Sequence, residues 1–301
     1  MSTTTTATTA TTATTATAAA PASSPWGTED LDLDAYLARI GYDGPREPGV
    51  ETLTRLQRLH LAAFSFETID IGLSEPGPIT TGSLQEKFVQ RGRGGCCIEQ
   101  NLLFAAALEA LGFTVRRHLA RVRRGNRSDL RFRSHATLTV EAEDRLFLAD
   151  VGFGDEGPLH PVPLIPGEQV TVGAWTWKVD QEDEETWVLR SLHPDGWFDV
   201  YAFGFETTAP SDVDVSYYYT ATHPRSVFTG HITAQRGEDH ARYVLRDRTL
   251  RTRHPDGTCD ETQLTPDQVV AELRGRFRLT LSAREAAAVR AFLDTQEPSG
   301  P

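Results

Sequence analysis

Residues 93–101 constrain the fold of this chain more than any other part of the sequence. Gly94 and Gly95 predict a tight turn, and the apolar run 102–108 behind them predicts a helix. Cys97 then lies at the start of that helix, where free N–H groups carry partial positive charge and favour a thiolate. The rest of the chain must therefore build the surroundings of this thiol.

Two downstream residues have the side chains that would complete a catalytic relay with Cys97. His135 begins the alternating run 135–140, and Asp150 follows the run 145–149, so neighbouring strands can bring them together. A thiol nucleophile needs a base that ionises it, and the base needs a group that fixes its tautomer. By residue type alone, a structural cysteine, a structural histidine and a turn aspartate stay open as alternatives.

Composition and charge exclude several classes of protein. The chain has 301 residues and a formal net charge of −12, which argues against a nucleic-acid partner. No apolar run is long enough to span a membrane, and no tight His/Cys cluster predicts a metal site. The cysteines are Cys96, Cys97 and Cys259, with no secretory signal, so we expect free thiols and a cytoplasmic location.

The remaining chain predicts a mixture of helices and strands. Residues 1–25 are a low-complexity Thr/Ala-rich tract and predict disorder. The helical patterns are a helix from Asp30 or Asp32 to Gly41, then 51–63, 83–89, 97–111, 265–273 and 282–293. The strand-like patterns are 115–122, 135–140, 145–149, 170–179, 187–192, 198–205, 231–236, 241–246 and 249–253. The strands in the middle of the chain predict a β-barrel or a strongly bent antiparallel sheet.

The stretch around Cys97 resembles the R-G-G-x-C-x-E-x-N signature of the arylamine N-acetyltransferases. The resemblance extends along nearly the whole chain after the tract. Residues 32–42 resemble the family's opening helix, and residues 64–70 resemble its P-F-E-N-L-D stretch. His135 and residues 150–154 match the other members of its catalytic triad, and residues 222–228 resemble a loop near coenzyme A.

The resemblance implies an α+β, three-domain arylamine N-acetyltransferase-like fold with a cysteine-protease-like catalytic core. A helical domain (26–112) would carry the nucleophile, a β-barrel domain (113–211) would carry His135 and Asp150, and an α/β lid domain would cover 212–301. The tail, 1–25, lies outside the family pattern.

The resemblance also implies an activity. Cys97 would take an acetyl group from acetyl-CoA, the co-substrate, and form a thioester. His135, oriented by Asp150, would then help an arylamine or arylhydrazine attack that thioester, in a ping-pong reaction of xenobiotic metabolism. No metal is implied.

Further site residues are carried over by position. Phe66 and Phe153 would line the acyl and arylamine pocket, although both could equally be ordinary core residues. Four residues would lie near coenzyme A: Gly154, Tyr219, His223 and Ser226. Arg225 lies beside them, and its guanidinium is suited to a pyrophosphate. A solvated loop is the alternative for this stretch.

The chain departs from the family pattern near the predicted pocket, where Cys96 replaces an aromatic residue, Ser65 a Pro and Thr68 an Asn. An amide synthase of polyketide biosynthesis, which would use the same triad to form macrolactams, is therefore the first alternative. A papain-like protease is disfavoured, because the Cys-Gly-Ser/Ala-Cys-Trp/Tyr motif of such enzymes is absent around Cys97. A thiol redox sensor or binding module would retain its function in His135→Ala. The acceptor amine and a homo-oligomeric state stay open.

Overall fold

The computed structural model describes residues 24–126 and 131–296. The predicted disordered tail falls almost wholly on residues 1–23, outside the described residues. The helices are α1 (Leu33–Ile40), α2 (Val50–Ala63), α3 (Ile69–Gly72), α4 (Thr81–Leu84), α5 (Cys97–Ala110), α6 (Pro210–Thr222), α7 (Pro266–Arg274) and α8 (Ala283–Thr295). The strands are β1 (Phe66–Glu67), β2 (Thr114–Val122), β3 (His135–Ala142), β4 (Arg145–Ala149), β5 (Val162–Pro163), β6 (Gln169–Val172), β7 (Trp175–Gln181), β8 (Trp187–His193), β9 (Gly196–Phe203), β10 (Thr233–Gly237), β11 (Arg242–Arg246), β12 (Thr249–Arg253) and β13 (Cys259–Gln263).

The first helices form where the sequence predicts them. Asp32 caps α1 by accepting a hydrogen bond from the Ala35 N–H at 3.0 Å, and Gly41 ends the helix in the left-handed conformation. Helix α5 is apolar on nearly all sides and is buried against β3. Its side chains share one core with α1, α2 and residues such as Leu138 and Phe147 of the adjoining strands. Helix α5, which begins with the candidate nucleophile Cys97, is therefore held by packing along most of its length.

The middle of the chain forms an eight-stranded antiparallel sheet in the order β5-β4-β3-β2-β9-β8-β7-β6. Strand β5 approaches β6 and β7 at the opposite edge, so the sheet is nearly closed, which confirms the predicted barrel. Its interior is filled by aromatic and branched side chains, including Trp177 and Tyr201. Because β3 starts at His135 and β4 ends at Ala149, their antiparallel pairing brings His135 and Asp150 to the same end of the sheet.

A second sheet contains five strands in the order β1-β10-β11-β12-β13. Strands β10 to β13 come from the last third of the chain, and α7 and α8 share a core with this sheet. Strand β1 comes from the first third and pairs with β10, which places Phe66 opposite Gln235. The sheet therefore connects the last third of the chain to Phe66 and Glu67, which in turn contact Gly95 of the turn before the candidate nucleophile.

Several elements differ from the sequence prediction; the predicted helix 83–89, for example, is α4 followed by a π-helical segment, Gln85–Gln90. Residues 170–179 form two strands, because Gly173 turns the chain with a positive φ of 58°. Helix α6 was not predicted, since its apolar and polar residues follow no clear helical period, although Pro210 at its first turn is a start signal. Strand β13 was missed because all five of its residues are exposed and mostly polar. Among the described residues, no helix is both long and apolar enough to cross a membrane.

Candidate active site

The candidate nucleophile lies at the first position of α5, and only 6% of Cys97 is exposed. The Cys96 N–H donates to Glu99 Oε2 at 2.8 Å, which secures the start of the helix. The Cys97 thiol lies 3.5 Å from the Ser134 carbonyl oxygen, in the segment just before β3. The thiol therefore faces the strand that carries His135.

A buried imidazole and a buried carboxylate lie beside this thiol. His135 Nε2 and Asp150 Oδ2 are 2.7 Å apart, and the His135 imidazole is close enough to Cys97 to shift the pKa of its thiol. Asp150 accepts three further hydrogen bonds: from Asn101 Nδ2 at 2.9 Å, the Gly152 N–H at 2.8 Å and the Tyr201 hydroxyl at 2.8 Å. These donors fix the carboxylate, and the carboxylate fixes the orientation of the imidazole.

The electrostatics of the site favour an ion pair. A hydrogen bond from the Cys96 thiol, together with the hydrogen bond and charge of His135, lowers the pKa of Cys97 to about 5 although burial opposes the shift. Burial by itself lowers the pKa of His135, but Asp150 and the bond to Cys97 raise it to about 9. Burial opposes ionisation of Asp150 too, yet the charge of His135 and the donated hydrogen bonds lower its pKa. Between about pH 5 and about pH 9, Cys97 is therefore a thiolate and His135 an imidazolium.

Close backbone contact between the two halves of the site requires a glycine. A Cβ at Gly152 would lie 2.7 Å from the Cys97 Cα and 2.6 Å from Asn101 Nδ2. Asn101 completes the contact, because it accepts from the Val151 N–H at 3.1 Å and donates to the Ala136 carbonyl at 2.7 Å. The segment after β4 is therefore bound directly to α5, which carries the candidate nucleophile.

A buried cluster of charges lies beside the start of α5, and we call it the Arg93 cluster. Its members are Glu67, Asp70, Lys87, Arg93 and Glu99, with Glu285 at its edge. Arg93 donates to Glu67 at 2.7 Å, and both side chains are fully buried. Lys87 connects the cluster to the cysteine turn, because it donates to Glu99 at 2.7 Å. Each charge has a partner, as burial requires.

Aromatic rings enclose the site. Phe153 lies edge-on to His135 with ring centroids 4.9 Å apart, and Phe66 packs in one apolar cluster with Cys97. Phe228 reaches the same cluster, 5.7 Å from Phe66. The two predicted pocket residues thus lie at the candidate site, together with a third aromatic ring that the sequence analysis did not single out.

The residues predicted near coenzyme A fall into two groups. Gly154 begins a short helical turn directly after Phe153. Tyr219 and His223 stack with centroids 4.1 Å apart, at the end of α6. Ser226 donates to the Thr220 carbonyl at 2.5 Å, so its hydroxyl stabilises the loop, and Arg225 is exposed. Phe228, at the end of this loop, packs against Phe66 and the apolar cluster that contains Cys97.

Some residues of the site were missed from the sequence. Tyr201 lies in a predicted strand, where nothing in the local pattern separates it from other inward-facing aromatic residues. Gln235 accepts from the Asp155 N–H at 3.1 Å, across 80 positions of sequence. Asn101 is part of the quoted signature, and its polar side chain within an apolar helix was a usable signal. Over residues 24–126 and 131–296, no group of three or more metal-ligating side chains lies together.

A thiolate beside an imidazolium whose other side faces a carboxylate is typical of enzymes that pass through a thioester. Fold and site thus define the class: an α+β protein with a candidate cysteine nucleophile between helices and a barrel. A profile of the N-acetyltransferase family matches residues 49–286. The arylamine N-acetyltransferase of Escherichia coli K12 is 31% identical over 278 residues, which cover 89% of this chain and 98% of that protein.

Solved structures agree with the sequence relatives. The Nocardia farcinica arylamine N-acetyltransferase superposes with a TM-score of 0.83 at 38% identity and covers 92% of this chain and 99% of its own. The Mycobacterium marinum enzyme in complex with CoA gives 0.81 at 30% identity, with 87% and 98% covered. The chain therefore belongs to the arylamine N-acetyltransferase family of acyltransferases.

Proposed function

We propose that the chain transfers an acetyl group from acetyl-CoA to an aromatic amine or hydrazine by a ping-pong reaction through acetyl-Cys97. The observation that carries the proposal is the buried Cys97, His135 and Asp150 arrangement in a member of this family. The M. marinum relative in complex with CoA supports a coenzyme A thioester as donor. The comparisons favour this activity over the amide synthase.

In the first half-reaction, the Cys97 thiolate attacks the acetyl carbonyl of acetyl-CoA. The Cys97 N–H lies in the first turn of α5, where it has no acceptor within the helix, so it can donate to the developing oxyanion. The carbon–sulfur bond to coenzyme A then breaks, and the leaving thiolate takes the proton of the His135 imidazolium. The products are acetyl-Cys97, neutral His135 and coenzyme A.

In the second half-reaction, the amine attacks acetyl-Cys97. Neutral His135 takes the proton that the amine loses, and Asp150 stabilises the imidazolium that forms. The Cys97 thiolate leaves, so the starting ion pair returns. Phe66 and Phe153 are proposed to hold the aromatic ring of the acceptor.

Coenzyme A contacts are proposed for Gly154, Tyr219, His223, Arg225 and Ser226. The exposed Arg225 is suited to the pyrophosphate, and the stacked Tyr219 and His223 offer aromatic surface. The three-domain boundaries, a cytoplasmic location and a homo-oligomer stay predictions.

The proposal is tested by intact mass spectrometry of the protein mixed with acetyl-CoA, without amine. We expect a gain of about 42 Da that maps to Cys97 and is absent from Cys97→Ala. Added arylamine should remove the acetyl group within one turnover. A folded protein that gains no mass would refute acetyl-CoA as donor.

A further inference from the structure

The turn that follows Phe153 makes two sets of close contacts, one through its backbone and one through the side chain of Glu156. Residues 154–156 form this turn, and Gly154 has a positive φ of 82°. A Cβ at Gly154 would lie 2.1 Å from Oε1 of Gln235, the same oxygen that accepts from the Asp155 N–H. Strand β10 of the five-stranded sheet therefore packs directly on the turn.

The Glu156 carboxylate makes the second set of contacts. Its Oε2 accepts from Arg242 of β11 at 2.6 Å and from the Ser191 hydroxyl of β8 at 2.8 Å. His193 Nε2 lies 3.2 Å from the same oxygen. Glu156 is 1% exposed and Arg242 is 3% exposed, so their charges are paired out of contact with bulk water.

Aromatic residues of the barrel extend this contact. The Arg242 guanidinium lies 3.9 Å from the ring centroid of Trp175. Trp177 Nε1 donates to the Glu156 carbonyl at 3.0 Å, and Trp175 Nε1 donates to the Glu238 carbonyl at 2.8 Å. The barrel and the five-stranded sheet are thus in contact at the turn after Phe153 and, through Trp175, at the connection between β10 and β11.

The other charged groups near the turn do not replace this fastening. Arg253 lies 3.7 Å from Glu156 Oε1 and 3.8 Å from Asp155 Oδ2, beyond hydrogen-bond distance. Arg124 donates to Asp155 Oδ1 at 3.2 Å and lies over the Phe153 ring, but 37% of its side chain is exposed and its partner is Asp155 rather than Glu156. Glu156 is the carboxylate that receives donors from both the barrel and the second sheet.

We propose that Glu156 is a positioning residue for acetyl transfer, because with Arg242 it clasps the second sheet to the barrel and thereby holds Phe153 against His135. The link is short: Phe153 directly precedes the turn that Glu156 ends, and its ring lies edge-on to the imidazole. The effect on transfer rests on the proposed function. The effect on His135 and Cys97 is independent of any acetyl donor.

The test uses Glu156→Gln, which removes the charge but keeps the size of the side chain. We expect kcat/KM for acetyl transfer to fall about tenfold, since the positioning of a reacting group is sensitive to small displacements. We also expect the pH midpoint for alkylation of Cys97 by iodoacetamide to rise by about 0.5 pH unit or more, because His135 would stabilise the thiolate less well. Peptide mass spectrometry separates Cys97 from the exposed Cys259.

A second variant separates positioning from folding. Glu156→Gln with Arg242→Met removes both buried charges, so neither is left unpaired, and the Tm should recover towards that of the wild type. The clasp remains broken, so we expect kcat/KM to stay low and the alkylation midpoint to stay high. The matched control is Glu261→Gln, which breaks an exposed ion pair with Arg251 in the same sheet and should change neither.

Two results would overturn the proposal. One is a Glu156→Gln protein with wild-type kcat/KM and a wild-type alkylation midpoint. The other is a double variant in which both values return to wild type together with the Tm. If the wild type itself forms no acetyl-Cys97, the proposed function fails, and the alkylation midpoints still decide whether the clasp positions His135.

Discussion

The thiol and the imidazole of the site are held by two different kinds of surroundings. Beside Cys97 lies the Arg93 cluster, in which buried cations and carboxylates neutralise one another. Around His135, four donors converge on the single carboxylate of Asp150. Breaking the first arrangement should lower stability, because a buried charge loses its partner. Breaking the second should lower activity, because the imidazole loses its orientation.

The largest effect is expected for Asp150→Asn, on the imidazole side. An amide presents N–H groups where the carboxylate presents acceptors, so His135 loses its orientation and its preferred tautomer. We expect kcat/KM for acetyl transfer to fall about 10³ to 10⁴-fold. The Tm should change little while activity falls, as expected if the donors around Asp150 orient His135 rather than stabilise the fold. Circular dichroism checks that the variant is folded.

A fall of less than tenfold in Asp150→Asn would contradict the comparison. It would mean that the position of His135 is set by packing against Phe153 and Tyr201 alone. The matched control is Asp247→Asn, because Asp247 hydrogen-bonds His231 at 2.7 Å in a partly exposed pair far along the chain. That variant should retain activity within about twofold, since a partly exposed pair contributes little.

Breaking the cluster beside the thiol should instead cost stability. Arg93→Met leaves Glu67 buried without its principal partner, and we expect the free energy of unfolding to fall by about 3–5 kcal/mol. Urea denaturation measures this loss. Activity per folded molecule should change much less than in Asp150→Asn, because Arg93 does not touch the thiol or the imidazole.

The control for Arg93→Met is Arg46→Met, which breaks the exposed ion pair with Asp34. It should cost less than about 1 kcal/mol. If Arg93→Met also cost less than about 1 kcal/mol, the buried cluster would not be the main support of the cysteine turn. Each of these outcomes is read from the same denaturation curves.

The two surroundings also differ in how far the sequence predicts them. Cys97, Glu99 and Asn101 lie in one short motif, so the turn before the candidate nucleophile and the helix after it were predicted from local pattern. His135 and Asp150 were predicted from strand ends. Tyr201 was not, because only the pairing of β2 with β9 carries it to the carboxylate.

Long-range contacts explain the remaining differences. Gln235 reaches the turn after Phe153 because β1 pairs with β10, and neither strand reveals that partner in its own residues. Helix α6 has almost no amphipathic pattern, because one side packs near Cys96 and Cys97 while apolar residues such as Val215 remain exposed. Local periodicity therefore predicts elements that face one core and fails where an element lies between two regions.

A smaller effect is expected for Tyr201→Phe, which removes one of the four donors to Asp150. A hydrogen bond to a charged group contributes about 1.5–3 kcal/mol, so we expect kcat/KM to fall about tenfold or somewhat more. Thr137→Val is the control, because it removes only the 3.0 Å contact to the Tyr201 hydroxyl. A Thr137→Val loss equal to that of Tyr201→Phe would show that the hydroxyl acts through Thr137 rather than Asp150.

The smallest effect is expected for Cys96→Ala, which lies between the two surroundings. The Cys96 N–H donates to Glu99 of the Arg93 cluster, while the adjacent Cys96 thiol lowers the pKa of Cys97. Removing a donor to the thiolate destabilises the charged form, so the pKa of Cys97 must rise from about 5. We expect the pH midpoint for alkylation of Cys97 to rise by about 1, and still to lie below that of a free thiol because His135 remains.

Cys96→Ser sharpens this last test, since serine keeps a hydrogen-bond donor at the same position and should restore most of the low midpoint. Because the pKa of His135 lies near 9, the raised midpoint still falls below it, so the ion pair persists at neutral pH and the loss of acetyl transfer at pH 7 should be less than about threefold. An unchanged midpoint in Cys96→Ala would mean that His135 alone ionises Cys97. In that case the two surroundings would be independent, with the backbone of Cys96 serving the charged cluster and its thiol serving neither.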